Sequence, residues 1–260
     1  MICDQNQHDA AIYQGLDCDR DTEAEVETAL REYPELLGQR KGIVVEWNED
    51  EDDFEYIEAP EGEEGEGDYP ILCLCSDIRT NGSLLTVSIL KTVSFIHLFA
   101  RLAVEFGSFK IQERGGLMIE SIIDHSNDES NTLDRLAKNV CWKDGEHCHK
   151  QFDNVMLKQM IQLRRMGLLK KEDIQRCLGL LFCWNMPTQH YFSENRVQFL
   201  IEWDPTSLTK IFTPSREQWH HGIFPNGNLP LHYVVRVHNF IRAFQVVFEF
   251  GIRYYPNKKG

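Results

Sequence analysis

The residue types that could bind a metal ion are concentrated in one short segment of this 260-residue chain. Cys141, His147, Cys148 and His149 lie within nine residues of one another, and thiolates and imidazoles are the usual ligands of zinc. Structural zinc sites normally take two short ligand pairs separated by a longer span, because the two chain segments approach the metal from different sides. Adjacent side chains do not converge easily on one ion. We therefore interpret the segment as a polar loop and predict neither a metal nor a cofactor.

Two further groups of cysteine and histidine residues could be either functional or merely structural. His220 and His221 follow Trp219, and they could form a ligand pair or a patch that contacts a partner. Histidines in a polar loop are more often simply surface residues. Cys73 and Cys75 are separated by one residue, not by the two of a redox pair, and their apolar neighbours indicate packing.

Motifs for catalysis are missing from the sequence. The glycines of 61–67 alternate with glutamates, which would repel a phosphate, and no Lys-Ser or Lys-Thr pair directly follows them. Neither a nucleophile elbow nor a zinc-protease helix motif occurs. We therefore predict a protein that is not an enzyme. The alternative from that class is a metal- or thiol-dependent enzyme that uses the Cys141–His149 cluster, and it would lose activity in a Cys148→Ala variant.

The charge of the chain is unevenly distributed. Hydrophobic residues make up 42% of it and aromatic residues 11%, which is enough for a core, and the formal net charge is −14. Residues 46–68 hold thirteen acidic residues and no basic ones, and the rest of the chain beyond them is net basic. Such a stretch repels itself and buries little, so we predict an acidic disordered insertion at 46–68. The overall acidity disfavours nucleic acid as a partner.

Membrane insertion and secretion are not indicated either. No apolar run approaches the roughly 20 residues that span a bilayer, and the first residues lack a basic region followed by an apolar one. We expect an intracellular protein, cytoplasmic or nuclear, with no membrane partner.

Apolar residues at helical spacing recur along the chain. In one example Phe95, Leu98, Phe99, Leu102 and Phe106 follow an i, i+3, i+4, i+7, i+11 pattern. Similar stripes predict helices at about 94–106, 151–166, 193–203 and 240–254, each followed by glycine or proline. Ahead of them we predict a mobile N-terminus at 1–21 and a partial first repeat at 22–45, where Thr22 and Glu25 form a capping-box pattern.

The last of these helices follows a motif of known type. Leu229-Pro230-Leu231-His232 resembles the Thr-Pro-Leu-His tetrapeptide that opens the first helix of an ankyrin repeat. The chain is thereby similar to the ankyrin-repeat family, in the diverged form that is expanded in diatoms. The resemblance implies an all-α fold, an irregular ankyrin-like solenoid of helical repeats over 69–260 with long insertions. Leu229 replaces the threonine that caps the helix in that family, and the predicted helices are 38 to 73 residues apart, against 33 in regular repeats. A HEAT-like array or an irregular bundle fits the stripes as well.

The family resemblance implies a non-catalytic scaffold for protein–protein interaction, with an unknown protein partner. A structural domain within a larger assembly is the alternative. The residues that we expect at the edges of the repeats and on the terminal face, and therefore in contact with a partner, are Arg165, Lys170, Trp219, His220, His221, Phe250 and Tyr254. Arg164, Lys171 and Arg176 add to the positive charge around Gly167.

Overall fold

The structure is a computed structural model in which the described part of the chain is mostly helical. It describes residues 16, 18–40, 43–48, 53–58, 68–75, 90–120, 131–138, 146–183, 192–211, 229–236 and 241–257. The chain divides into two compact units, Met1–Thr132 and Leu133–Gly260. This boundary falls inside the region 69–260 for which the sequence predicts one continuous array.

The described residues form a series of α-helices whose positions follow the apolar stripes of the sequence. They are α1 (Glu23–Glu32), α2 (Pro70–Cys73), α3 (Ile96–Glu105), α4 (Thr132–Lys138), α5 (Glu146–Arg165), α6 (Ile174–Cys183), α7 (Glu194–Trp203), α8 (Pro230–Arg236) and α9 (Ile241–Tyr254). Residues 90–93 are helical as well. Short 3-10 helices occupy Pro34–Leu37, Ile111–Glu113, Lys171–Asp173 and Pro205–Thr209.

A β-hairpin overlaps the start of the acidic segment 46–68. Strand β1 (Ile43–Asn48) pairs antiparallel with β2 (Asp53–Glu58), with Val45 opposite Tyr56 and Trp47 opposite Phe54. The structure thus differs from the disordered insertion predicted at 46–68 wherever these strands run. The reason is local composition: aromatic and β-branched residues, which favour strands, are interleaved with the acids at these positions.

The first unit is assembled on α3. Helix α1 begins with the predicted capping box, in which the Glu25 backbone N–H donates to Thr22 Oγ1 and the Thr22 backbone N–H to Glu25. Both α1 and α2 pack on α3, whose buried side chains include Phe99 and Leu102. Arg31 of α1 also donates a bidentate pair of hydrogen bonds to Glu105, at 2.6 and 2.9 Å.

A turn motif occurs twice with the same hydrogen bonds. After α3, Gly107 takes a left-handed conformation, and the Ser108 N–H donates to the Ala103 carbonyl at 3.0 Å. After α5, Gly167 does the same, and the Leu168 N–H donates to the Leu163 carbonyl at 2.9 Å. This is the Schellman arrangement that satisfies the last carbonyls of a helix. Each turn then enters a 3-10 helix in which a carboxylate, of Glu113 or Asp173, accepts from the backbone N–H of a lysine three residues earlier, Lys110 or Lys170.

The helices of the second unit make contacts in two rows. In the first row α5 packs on α7 and α7 on α9, and in the second α6 packs on α8. Sequence neighbours also pair, because α6 contacts α7 and α8 contacts α9. Helix α8 begins at Pro230 of the predicted motif, and the Leu229 N–H donates to Nδ1 of His232 at 3.4 Å. The histidine thus makes only the reciprocal bond of a capping box, back to the N-cap N–H, and Leu229 offers no side-chain acceptor to the first turn.

A buried arginine lies at the centre of the second unit. Arg196 of α7 is fully buried, and its Nε donates to the Asp153 carboxylate of α5 at 2.6 Å. Its Nη1 donates to the Leu136 and Ala137 carbonyls at the end of α4, at 2.8 and 2.9 Å, and its Nη2 to Ser193 Oγ at 2.5 Å. One guanidinium thus joins three helices and satisfies carbonyls that α4 cannot bond internally.

We expect Gly115→Ala to lower the free energy of unfolding of the first unit by about 2–5 kcal/mol, measured by urea denaturation. Gly115 has φ of +68°, and an added Cβ would lie 2.3 Å from the Ala100 carbonyl oxygen of α3, so overpacking adds to left-handed strain. Gly107→Ala is the matched control, since φ is +66° there with open space around the position. It should cost only about 1–2 kcal/mol. Equal losses would contradict the close approach.

Arg196→Met should destabilise the second unit by about 3–5 kcal/mol, because the Asp153 carboxylate stays buried without its counter-charge. The double variant Arg196→Met/Asp153→Leu should recover part of this loss. Arg165→Met, the same substitution at an exposed position of α5, should change stability by less than about 0.5 kcal/mol. Urea midpoints followed by circular dichroism give the comparison, and a double variant no more stable than Arg196→Met would refute the account.

Candidate interaction surface

A cluster of cations surrounds the turn that follows α5. We call Arg164, Arg165, Lys170, Lys171 and Arg176 the basic edge, and all five are exposed. The turn is held from within, because Leu163, Leu169 and Ile174 are buried on its inner side. The Gly167 conformation and the capping of Lys170 by Asp173 set the direction of the chain between the cations. The edge is therefore a fixed surface on a packed turn.

Two aromatic rings from α7 lie under the basic edge. The guanidinium carbon of Arg164 is 4.5 Å from the ring centroid of Trp203 and 5.6 Å from that of Phe199. The two rings are themselves 6.0 Å apart and tilted by 45°. Cation–π contacts of this length are attractive and orient the guanidinium. They also connect α5 with α7, so the edge depends on the packing of these two helices.

The electrostatics of the edge are net positive. Arg176 is bound by the buried carboxylate of Asp134, and Lys170 Nζ lies 3.8 Å from Glu172. Asp173 accepts the backbone N–H of Lys170. Five cations thus stand against three carboxylates, and two of those, Asp134 and Asp173, are buried. A net positive, partly aromatic surface suits an acidic segment of another protein.

The other residues that the sequence predicts to contact a partner differ in their exposure and in whether the structure describes them. Trp219, His220 and His221 lie outside the described residues. Phe250 is only 6% exposed and belongs to the core of the second unit, so it offers no accessible surface. Tyr254 is 37% exposed and stacks on Phe250 with ring centroids 6.0 Å apart. Arg165 and Lys170 are both exposed and lie on either side of the Gly167 turn.

The apolar residues of α9 do not all face the core. The sequence pattern places Ile241, Phe244, Val247 and Phe248 along one helical face, whereas Ile241 and Phe248 are 74% and 45% exposed and Val247 is buried. The buried side chains are those of Ala243, Val246, Val247 and Phe250. The helix has apolar residues on two opposite faces, and periodicity alone cannot tell which one meets the core. The presence of two stripes was the signal that a second, exposed apolar surface exists.

The cysteine and histidine cluster is only partly described. Cys141 lies outside the described residues. Helix α5 begins at Glu146, so it includes residues that the sequence assigns to a polar loop. Among the described residues no three His, Cys, Asp or Glu side chains are grouped as metal ligands.

Cys177 of α6 lies inside the second unit and is 1% exposed. Burial raises the pKa of its thiol, and the carboxylates of Asp134 and Asp173 raise it further. Since the thiolate is the reactive form, this cysteine has the character of a packing residue.

Iodoacetamide at pH 8 should therefore leave Cys177 unmodified in the folded protein while it alkylates the exposed Cys18. In urea both should react, because unfolding exposes Cys177 and returns its pKa to the ordinary value. Peptide mapping by mass spectrometry measures both sites in one sample. Equal modification of the two cysteines in the folded state would argue against a buried, neutral thiol.

No helix among the described residues combines the length and the apolar character needed to cross a membrane. No protein-family model matches the chain, and no curated protein or solved structure matches it. The function is therefore argued from the residues and contacts described above.

Proposed function

We propose that this protein is a non-catalytic scaffold for protein–protein interaction, built from diverged ankyrin-like helix pairs. The observation that carries the proposal is the order of contacts in the second unit. Helices α5, α7 and α9 pack in sequence order, α6 packs on α8, and the pairs are joined because α6 contacts α7 and α8 contacts α9. Stacked helix pairs have this pattern, because each pair buries its apolar face against the next. Architectures of this kind generally use their exposed edges for recognition.

Two local features support the same interpretation. The left-handed glycine turn and the capped lysine after it occur both at Gly107 and at Gly167, 60 residues apart. The Pro-Leu-His motif opens α8, and a longer helix, α9, follows it and packs against it. A repeated turn and repeated helix pairs are what a diverged repeat would retain, while insertions change the spacing.

The basic edge is the surface that we assign to partner binding. Its cations are exposed, its aromatic rings are held in place by packing, and its turn is anchored by buried leucines. Binding of an acidic segment would cost the scaffold little conformational entropy, because the edge is already ordered. The interaction should weaken as salt screens the charges.

A structural domain within a larger assembly is the second candidate. It is favoured by one observation, the exposed apolar residues on α9, which are typical of a surface that another helix covers. Under this alternative the basic edge would be an ordinary charged helix end.

The scaffold proposal is tested by quantitative affinity capture from native lysate with the full chain as bait. We expect at least one protein to be captured by the wild type and reduced about tenfold or more by the variant Arg165→Glu/Lys170→Glu. The matched control is Arg20→Glu/Lys110→Glu, which makes the same change in net charge at two exposed positions of the first unit. The control should retain the captured protein.

Circular dichroism first establishes that the two variants are as helical as the wild type. Loss of the captured protein between about 0.1 and 0.5 M salt would agree with recognition by charge. If the edge variant and the control capture the same proteins in the same amounts, the basic edge is not the binding surface and the proposal fails in this form.

A further inference from the structure

The cations of the basic edge differ in what already neutralises their charge. Arg176 is bound by the buried carboxylate of Asp134, and Lys170 Nζ lies 3.8 Å from a carboxylate oxygen of Glu172. The other cations of the edge form no ion pair with a carboxylate of the described residues, and they are Arg164, Arg165 and Lys171. These are therefore the cations whose charge a ligand can use at no cost to an existing pair.

Arg164 is also held in position. Its guanidinium carbon lies 4.5 Å from the ring centroid of Trp203 and 5.6 Å from that of Phe199. Both rings are half-buried and belong to α7, the helix packed on α5. Contacts of this length restrict the orientation of a guanidinium. Among the described residues no comparable contact holds Arg165 or Lys171.

The hydrogen-bonding groups of Arg164 remain available in this position. A guanidinium carries its N–H donors in one plane, and contact with ring faces uses its π surface instead of those donors. None of the donors is bonded to an acceptor among the described residues. A pair of parallel N–H groups matches the oxygens of a carboxylate. Because the guanidinium is ordered before a ligand arrives, forming this pair costs less entropy.

The distribution of the unpaired cations favours carboxylates over a phosphate as the ligand. Arg164 and Arg165 end α5, whereas Lys171 begins the 3-10 helix that follows the Gly167 turn. The unpaired charges thus lie on both sides of the turn, where carboxylates at successive positions of a segment can meet them separately. A phosphate concentrates about two negative charges on one group, which suits cations that converge.

We infer that Arg164 determines the specificity of the basic edge, and that it binds a glutamate or aspartate carboxylate of the partner through a bidentate pair of hydrogen bonds. Trp203 is a positioning residue that orients the guanidinium for this contact. Arg165 and Lys171 attract the acidic segment without selecting an individual side chain. The inference rests on the proposed function, since it names the ligand chemistry of the same edge.

Fluorescence anisotropy of the full chain with a labelled acidic peptide tests the inference. The probe is a fluorescein-labelled peptide with blocked ends in which about six glutamates alternate with serines. Arg164→Lys keeps the charge but removes the bidentate donor pair, so we expect the dissociation constant to rise about tenfold. The matched control is Arg165→Lys, the same substitution at the neighbouring exposed position. It should change the dissociation constant by less than about twofold.

A double-variant cycle tests the role of Trp203. Trp203→Leu should weaken peptide binding in the chain that retains Arg164, because the guanidinium loses its orientation, and it should have a much smaller effect in Arg164→Lys. Circular dichroism and urea midpoints establish that the variants are folded. Equal effects of Trp203→Leu in the two backgrounds would mean that the ring acts only through the packing of α7, which contradicts the positioning role.

The outcomes separate this inference from the scaffold proposal. Equal dissociation constants for Arg164→Lys and Arg165→Lys, or a wild-type chain that does not bind the peptide, would overturn the inference. Capture from lysate with Arg165→Glu/Lys170→Glu decides the scaffold proposal independently, because that experiment does not depend on the geometry of Arg164.

The choice of carboxylate has its own comparison. A second peptide carries phosphoserine in place of one central glutamate, and we expect its dissociation constant to stay within about threefold of that of the glutamate peptide. Binding that is tighter by about tenfold or more, and lost in Arg164→Lys, would assign the donor pair to a phosphate and overturn the carboxylate assignment.

Discussion

The second unit depends on one buried charge. The guanidinium of Arg196 is inaccessible to water, so its charge and each of its donors must be satisfied by the protein. Asp153 of α5, two terminal carbonyls of α4 and Ser193 before α7 meet this requirement. Alternative packings of α4, α5 and α7 would leave a charge or a carbonyl unpaired in the interior. The cluster therefore acts mainly by excluding other arrangements, since a buried ion pair gains little over a well-packed apolar core.

The basic edge follows from this packing. Arg164 lies at the end of α5, while the aromatic rings beneath it, Phe199 and Trp203, belong to α7, the helix that carries Arg196. Because Arg196 joins α7 to Asp153 of α5, the two helices keep the relative position that the cation–π contacts need. The edge thus combines exposed cations with aromatic rings held by helix packing. Its charges and rings are those that we propose for recognition of an acidic segment.

Residues that end helices were the most predictable part of the fold. Gly107 and Gly167 follow α3 and α5 in left-handed conformations, and the prolines at 34, 205 and 256 come within two residues of the ends of α1, α7 and α9. These signals are local, because a glycine cap or a missing N–H acts within one turn of the helix. The hairpin at 43–58 shows the limit of composition as a guide. A high density of acids suggested disorder, while the aromatic and β-branched residues between them carried the information on pairing.

The sequence by itself determined where the longer helices end, that the described part is mostly helical, and which residues form a cationic group around Gly167. These properties depend on backbone conformation and on neighbours a few positions away. Only the tertiary structure decided which face of α9 meets the core, that Arg196 is buried rather than exposed, and that Gly115 approaches the backbone of α3 at Ala100. Each of these depends on residues far apart in the chain. Burial is a property of the packed whole, and a single sequence does not state which of two apolar faces will find a neighbour.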